Sequence, residues 1–388
     1  MQGLKLKLVA VYFGKPQSGI TKKVTYQVRG LIKHGINAEV LFLGNKKEND
    51  KYESFIQFLP VMAPPYRSFK EKLDSLKSFR KCYEKILLEG DEQEIIYLRN
   101  YLPTFWFYKA VKKSKKRIVL ELPSNSHKET LVRKSYFYYL GICLFHKPIL
   151  RNVDLIISVT REIIDLHFNS QKWKIPCMII GNGIDMNAVP LRQRSTPAVS
   201  KEYVFTCVAE FVSFHGIDRL LRGLQQYRGE HAIRLNIVGT GTEMGNLRAL
   251  VDQLELPNVV FHGFLSGKEL DAIFEETDLA IGALAVHRIS IEYASILKAR
   301  EYCARGIPFV NSGKDEEFPE TFPFVHQISS SEEPVDVSEL VEFIKRVAVI
   351  PDYKDQMRQY ASDVLSWDIK MKKLSSYLYN RYSESASS

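Results

Sequence analysis

HRISIEYASILKAREYCARGIPFVNSG, His287 to Gly313, holds an irregular loop, a helical stretch from Ala294 to Arg305, a Gly306-Ile307-Pro308 break and an apolar strand from Pro308 to Asn311. Glycine just past a basic last turn ends a helix, and proline cannot continue it. Loop, helix, break and buried strand in that order belong to an alternating α/β chain, whose ligands gather at the carboxyl edge of a parallel sheet. Lys298 and Glu301 lie three apart, so they share one face near the helix start. A cation there can meet a diphosphate, and a carboxylate one turn on can accept bonds from the paired hydroxyls of a ribose. Arg288, in the preceding loop, offers a planar fork for phosphate oxygens. Taken alone, a solvated Lys/Glu pair on a surface helix explains the spacing equally well; the loop and break around it are what point to a site.

Outward from this stretch the same alternation fills the chain. In the first half, strands are expected at Leu6–Phe13, Ala38–Leu43, Ile95–Leu98, Arg117–Leu122, Leu155–Val159 and Cys177–Ile180. Helices are expected at Lys22–Lys33, Phe69–Leu88, Thr104–Lys113 and Glu129–Phe145. Met186–Glu202, MNAVPLRQRSTPAVSKE, has two prolines and no usable period, and reads as a linker. The alternation then restarts with a strand at Val204–Ala209 and a helix at Ile217–Tyr227. Two doubly wound domains in tandem follow: 1–185, linker 186–202, 203–365, and a final amphipathic segment with tail, 366–388.

At 388 residues the chain is long enough for two such domains. Residues 1–185 hold 32 Lys and Arg against 17 Asp and Glu, a net of +15, whereas residues 186–388 hold 22 against 28, a net of −6. The basic half therefore suits an anionic partner. Five scattered cysteines (Cys82, Cys143, Cys177, Cys207, Cys303) form no CxxC pair, so neither a disulfide framework nor a zinc site is indicated, and all five are expected to be buried and inert. A start that reads as a core strand rather than a secretion signal, together with no apolar stretch longer than Tyr136–Phe145, points to a cytoplasmic chain that does not span a membrane.

Two further glycine sites bear on ligand binding. LNIVGTGTEMGNL sets Gly239 and Gly241 between a strand and a helix, and KPQSGITKKV sets Gly19 there, close to Lys22 and Lys23. Glycines in such turns let a phosphate or sugar approach backbone amides at a helix N-terminus. A tight turn that needs backbone freedom explains most such glycines without any ligand.

Taken together, the motifs resemble the two-domain GT-B glycosyltransferases, specifically the retaining family 4 type (glycosyl transferases group 1). REYCARGIPFV is similar to that family's Glu-centred helix and following Gly-x-Pro strand; NGID at Asn182–Asp185 to its signature at the end of the first domain; FHGIDRLLRGL and IVGTGTEMGNLRAL to its donor-domain opening; VVFHGFLSGKELDAIFEETDLAI to its strand, Gly-aromatic turn and helix. The resemblance implies two Rossmann-like parallel-sheet domains facing a cleft, with a C-terminal helix, opened by Trp367, crossing back to the first domain. It implies donor contacts at Gly19, His215, Gly216, Gly239, Gly241, Gly263, Phe264, Lys298 and Glu301, and chemistry around Arg288, Lys298 and Glu292. The implied substrate is a nucleotide sugar, with UDP-sugars favoured, no cofactor and no metal. Implied acceptors are a carbohydrate or a polyprenyl-diphosphate-linked sugar in surface polysaccharide or glycan assembly, with a peripheral site on the inner face of an anionic membrane. The sequence departs from the family at three places. The family's first glutamate falls on Tyr293, one residue past Glu292; its arginine and lysine before the first donor-domain helix fall on Glu210 and His215; and its N-terminal-domain histidine has only His127, several residues late, as a counterpart.

A nucleotide-sugar epimerase would share the fold but needs acid and base groups that the cleft motifs do not supply. A nucleic-acid-binding protein would explain the basic half, yet no binding motif accompanies the charge, and nucleic acid is not expected as a partner.

Overall fold

The computed structural model describes residues 3–13, 18–46, 51–62, 68–125, 130, 136–168 and 174–382. The chain divides into two compact units, Met1–Gly181 with Trp367–Ser388, and Asn182–Ser366.

Among the described residues, the first unit runs β1 (Lys5–Val11), α1 (Gly19–Lys33), β2 (Asn37–Leu43), β3 (Ile56–Leu59), α2 (Phe69–Leu88), β4 (Ile95–Leu98), α3 (Phe105–Lys113), β5 (Arg117–Leu122), α4 (Tyr136–Leu150), β6 (Leu155–Ser158), α5 (Arg161–His167) and β7 (Cys177–Ile179). Its sheet has the order β3-β2-β1-β4-β5-β6-β7, and every described pairing is parallel. Helices cover both faces, which is why the strands read as continuous apolar runs. In β1, Leu6, Leu8 and Ala10 feed one core while Val9 feeds the other, because successive side chains point to opposite faces.

The second unit runs β8 (Glu202–Glu210), α6 (Ile217–Gln226), β9 (Ala232–Thr240), α7 (Met244–Gln253), β10 (Val259–Gly263), α8 (Lys268–Glu276), β11 (Leu279–Ile281), α9 (Leu297–Arg305), β12 (Phe309–Asn311), β13 (Val325–Gln327), α10 (Val337–Ala348) and α11 (Tyr353–Tyr360). Its parallel sheet has the order β10-β9-β8-β11-β12-β13. The last helix, α12 (Trp367–Tyr382), packs in the first unit, where Trp367, Met371, Leu374 and Leu378 join the core beneath α1. Gly30 permits that contact, since a Cβ there would lie 2.8 Å from Met371 Cγ.

Three differences from the sequence reading have physical causes. Helix α9 begins at Leu297 rather than Ala294, because Ala294 N donates to Lys314 O at 2.8 Å and Asn182 N to Ser295 Oγ at 2.7 Å, which holds this stretch extended. Residues 186–202 are not a free linker: Arg192 is buried against Thr196 and Tyr353, 2.9 and 2.7 Å away, and Val189 enters the second core. Of the cysteines, Cys143 and Cys177 are exposed, the first on the outer side of α4 and the second on the edge strand β7.

Candidate functional site

In the second unit the strand order reverses between β8 and β11, and open parallel sheets bind ligands at the carboxyl edge of such a reversal. Two loops are laced together there. After β8 a short 3₁₀ turn, Ser213–His215, ends on Gly216 at φ +63°, where a Cβ would meet Ala285 Cβ at 2.8 Å. Leu284 N donates to His215 O at 3.0 Å, and Ala285 N to Phe214 O at 3.1 Å. Buried Arg219 ties the same loops by donating to the Leu284 carbonyl and, at 2.7 Å, to that of Glu333.

Lys298 projects from the first turn of α9 into this frame. Its ammonium donates to Gly282 O at 2.8 Å and lies 3.6 Å from Cys207 Sγ, and no carboxylate among the described residues pairs with it. Burial lowers its pKa, with Cys207 acting the other way. Beside it His215 accepts Val212 N on Nδ1 at 3.2 Å, which puts the imidazole proton on Nε2. Burial first, and then the Lys298 charge, hold His215 well below its ordinary pKa, so it is a neutral donor at pH 7. The edge therefore presents an ammonium without a counter-ion and a neutral N–H next to it.

Other sequence candidates fall elsewhere. Arg288 does not present an open phosphate fork: it is bidentate to Asp218 at 2.9 and 2.8 Å, pairs with Glu332, and donates to Ser213 O at 2.7 Å. Its guanidinium, held above its usual pKa by bonds to Glu332 and Asp218, clamps the two loops. Glu292 is exposed and pairs with Lys314 at 2.7 Å, since its backbone runs in the extended segment before α9. Glu301 takes Arg305 Nε and Nη2 on a single oxygen, Oε1, at 3.0 and 2.9 Å, and Arg305 in turn reaches Asp271 at 2.7 Å. Among the described residues nothing bonds Oε2 of Glu301, which leaves it to a hydroxyl donor.

Gly239 and Gly241 serve the chain's own packing. Cβ atoms there would lie 1.9 Å from Ala209 O and 2.2 Å from Phe211 O, at φ +132° and +155°. Gly239→Ala is accordingly expected to destabilise the second unit by at least about 2 kcal/mol, read as a lowered denaturation midpoint, because backbone rather than a flexible side chain would have to move. Gly263, at φ +70°, has open space around its Cβ position and leads into Phe264, which is 64% exposed. Gly19 opens α1 in the other unit behind the Ser18 cap. His127 lies outside the described residues. A cavity of about 350 Å³ opens between α6 and α7, lined by Phe211, Asp218, Glu243, Asn246 and Arg288; neither Lys298 nor His215 lines it.

Sequence reasoning missed Cys207, Arg219 and Arg305. Cys207 and Arg219 act through contacts between segments far apart in the chain, for which local spacing carries no signal, whereas the Arg305–Glu301 pair, four residues apart on one helix, has a signal in helical spacing.

The group of residues at this edge is matched by a known family. Residues 190–363 match the family model for Glycosyl transferases group 1. The group 1 match spans β8 to α11, so it contains Lys298, His215 and Glu301. No curated protein matches the chain. Solved structures similar to it include a sucrose-phosphate synthase from Thermosynechococcus elongatus (16% identity, TM-score 0.74, covering 98% of this chain and all of that one) and HepE from Anabaena in complex with UDP-glucose (14%, 0.65, 97% and 100%). WaaG, a glycosyltransferase of lipopolysaccharide biosynthesis, is similar at 13% identity and a TM-score of 0.62, covering 96% of this chain and 99% of that one. The fold is that of the GT-B glycosyltransferases.

Proposed function

We propose that the chain is a retaining, metal-independent glycosyltransferase of the family 4 type that moves a sugar from a nucleotide-diphosphate donor, a UDP-sugar by preference, onto an acceptor held by the basic first unit. One observation carries the reading: Lys298, half-buried at the strand reversal of a group 1 domain with no carboxylate among the described residues to balance it. A half-buried cation without a counter-ion is partly desolvated, and a diphosphate supplies the missing charge. During transfer the leaving diphosphate gains negative charge, and fixed donors stabilise that charge without reorganising. Lys298 and the Nε2–H of His215 do this work, the open Oε2 of Glu301 takes the ribose hydroxyls, and exposed Phe264 offers a face for the base. Front-face attack, with the departing phosphate accepting the acceptor's proton, gives retention without a general base. HepE binds UDP-glucose and WaaG acts in lipopolysaccharide biosynthesis, which supports a UDP-sugar donor and a surface-glycan product. The test is a thermal-shift panel of UDP, GDP, ADP and their sugars: a UDP-selective rise supports the reading, because a ligand stabilises the state it binds, and no shift with any nucleotide rejects it.

The same reading places the first unit at an anionic membrane on the cytoplasmic side. No helix among the described residues is long and apolar enough to cross a membrane. Helix α2 nevertheless exposes Phe69, Leu73 and Leu76 beside Lys70, Lys77 and Lys81, an apolar stripe with basic flanks. A lysine near an anionic surface contributes about 1 kcal/mol, so replacing these three by glutamine should lower binding to phosphatidylserine vesicles by up to about a hundredfold. Unchanged vesicle binding in a co-sedimentation assay removes the membrane from the proposal.

A further inference from the structure

The first unit has its own strand reversal, between β1 and β4, and a charged cluster is buried at the carboxyl edge beside it. Glu121, near the end of β5, is 1% exposed. Lys23 of α1 donates to its Oε1 at 2.6 Å and Tyr97 to its Oε2 at 2.7 Å. Burial alone would raise this carboxyl, but the charges of Lys23 and Arg99 bring it down to about 2. Arg99, the residue after β4, is the cation left over. Its side chain is only 9% exposed, its Nε stands 3.9 Å from the carboxylate oxygen that Lys23 already occupies, and that Nε is sealed without a hydrogen bond. Neither of its other two nitrogens makes a hydrogen bond to a described residue. Guanidinium groups buried this far normally have their N–H groups used, because each unmet donor costs free energy. In the second unit Arg219 and Arg300 follow that rule, with carbonyl or carboxylate partners on every side. Arg99, half-buried beside these fully buried arginines, is the one of the three whose terminal nitrogens bond no described residue.

From this contrast we infer that Arg99 is an oxyanion-binding residue of the first unit and that the acceptor carries a phosphate group which it holds. The inference rests on the glycosyl-transfer reading for the word acceptor, but not for the site. A planar fork matches two phosphate oxygens, and a second anion, beyond Glu121, is what a carboxylate shared between two cations leaves wanting. Backbone packing defines the position: Arg99 N donates to Val9 O at 3.0 Å, and Asn100 Oδ1 accepts Val11 N at 3.2 Å, so the end of β1 fixes where the guanidinium starts.

The experiment titrates inorganic phosphate into the full chain by calorimetry after UDP has filled the donor site, and measures UDP affinity separately. Wild type should show one saturable phosphate site. Arg99→Gln should lower its affinity at least tenfold with UDP affinity unchanged, and Arg99→Lys, which keeps the charge but loses the fork, should fall between the two. Phosphate affinity equal in wild type and Arg99→Gln, or no saturable phosphate binding in wild type, overturns the inference; loss of UDP binding in wild type rejects the donor reading while leaving Arg99 untouched. Should Arg99→Gln misfold, the phosphate affinity of Arg99→Lys decides alone, with no change counting against the site. Vesicles of phosphatidic acid in phosphatidylcholine then separate the sources of phosphate. Vesicle binding lost together with phosphate binding supports a lipid headgroup, and vesicle binding kept while phosphate binding is lost supports a soluble phosphorylated acceptor.

Discussion

Lys298→Ala lowers kcat/KM by about 10²- to 10³-fold and abolishes the thermal shift given by UDP, while the unliganded protein keeps or gains stability. The first part follows from removing a fixed donor that faces developing charge on the leaving diphosphate. The second follows from the surroundings of the ammonium, which is held by the Gly282 carbonyl and the Cys207 thiol with no carboxylate. Removing a cation that has no ion pair strands no buried charge, so the usual cost of breaking a buried pair does not arise. A purely structural lysine would give the opposite result, lost stability with nucleotide binding intact, and that outcome would sink the donor assignment. The pH dependence has a defined sign. Burial lowers the pKa of Lys298 in the free protein, and a bound diphosphate raises it. Donor binding is therefore full below the free-state pKa, and above it takes up a proton and weakens as pH rises. Calorimetry in buffers of different ionisation enthalpy detects the uptake in wild type, and it vanishes in Lys298→Ala.

How much of this was open to sequence reading depends on whether the cause was local. The parallel sheets were legible because strands buried on both faces leave apolar runs such as Ile95–Leu98 and Arg117–Leu122, which match β4 and β5 residue for residue. Short elements with a weak pattern were not: β3 has four residues of mixed burial, and β13 has three. Lys298 and Glu301 were legible through helical spacing. Arg288 was misjudged because an arginine in a loop looks the same whether it awaits phosphate or clasps Asp218, 70 positions away. For Gly239 and Gly241 the packing demand itself was hidden, since the strand they must clear, Ala209 to Phe211, is distant in sequence and adjacent only in the sheet. Arg99 gave no signal at all, because what distinguishes it is the lack of a hydrogen-bond partner for its guanidinium among the described residues.

Arg300→Met should destabilise the second unit by about 3–5 kcal/mol, a shift of roughly 10 °C in its melting temperature. Arg300 is fully buried; burial opposes its charge, but its bonds to both oxygens of Asp315 and, at 2.6 Å, to Glu317 hold its pKa above the usual arginine value. It also donates to Asn182 O at 2.9 Å, pinning the start of the unit, and its plane lies 5.3 Å from the Phe318 ring. Methionine fills much of the same volume, so the loss expected is electrostatic: Asp315, 6% exposed, is left without its cation. Adding Asp315→Asn to Arg300→Met removes the stranded charge, and the double variant should be at least as stable as Arg300→Met alone. Additive losses would instead mean that the two residues act separately, through packing and through the bond Asp315 makes to Glu317 N at 3.1 Å. Arg300 and Lys298 are thus opposite solutions on one helix: the first has its charge matched by the protein, and the second leaves that match to the ligand.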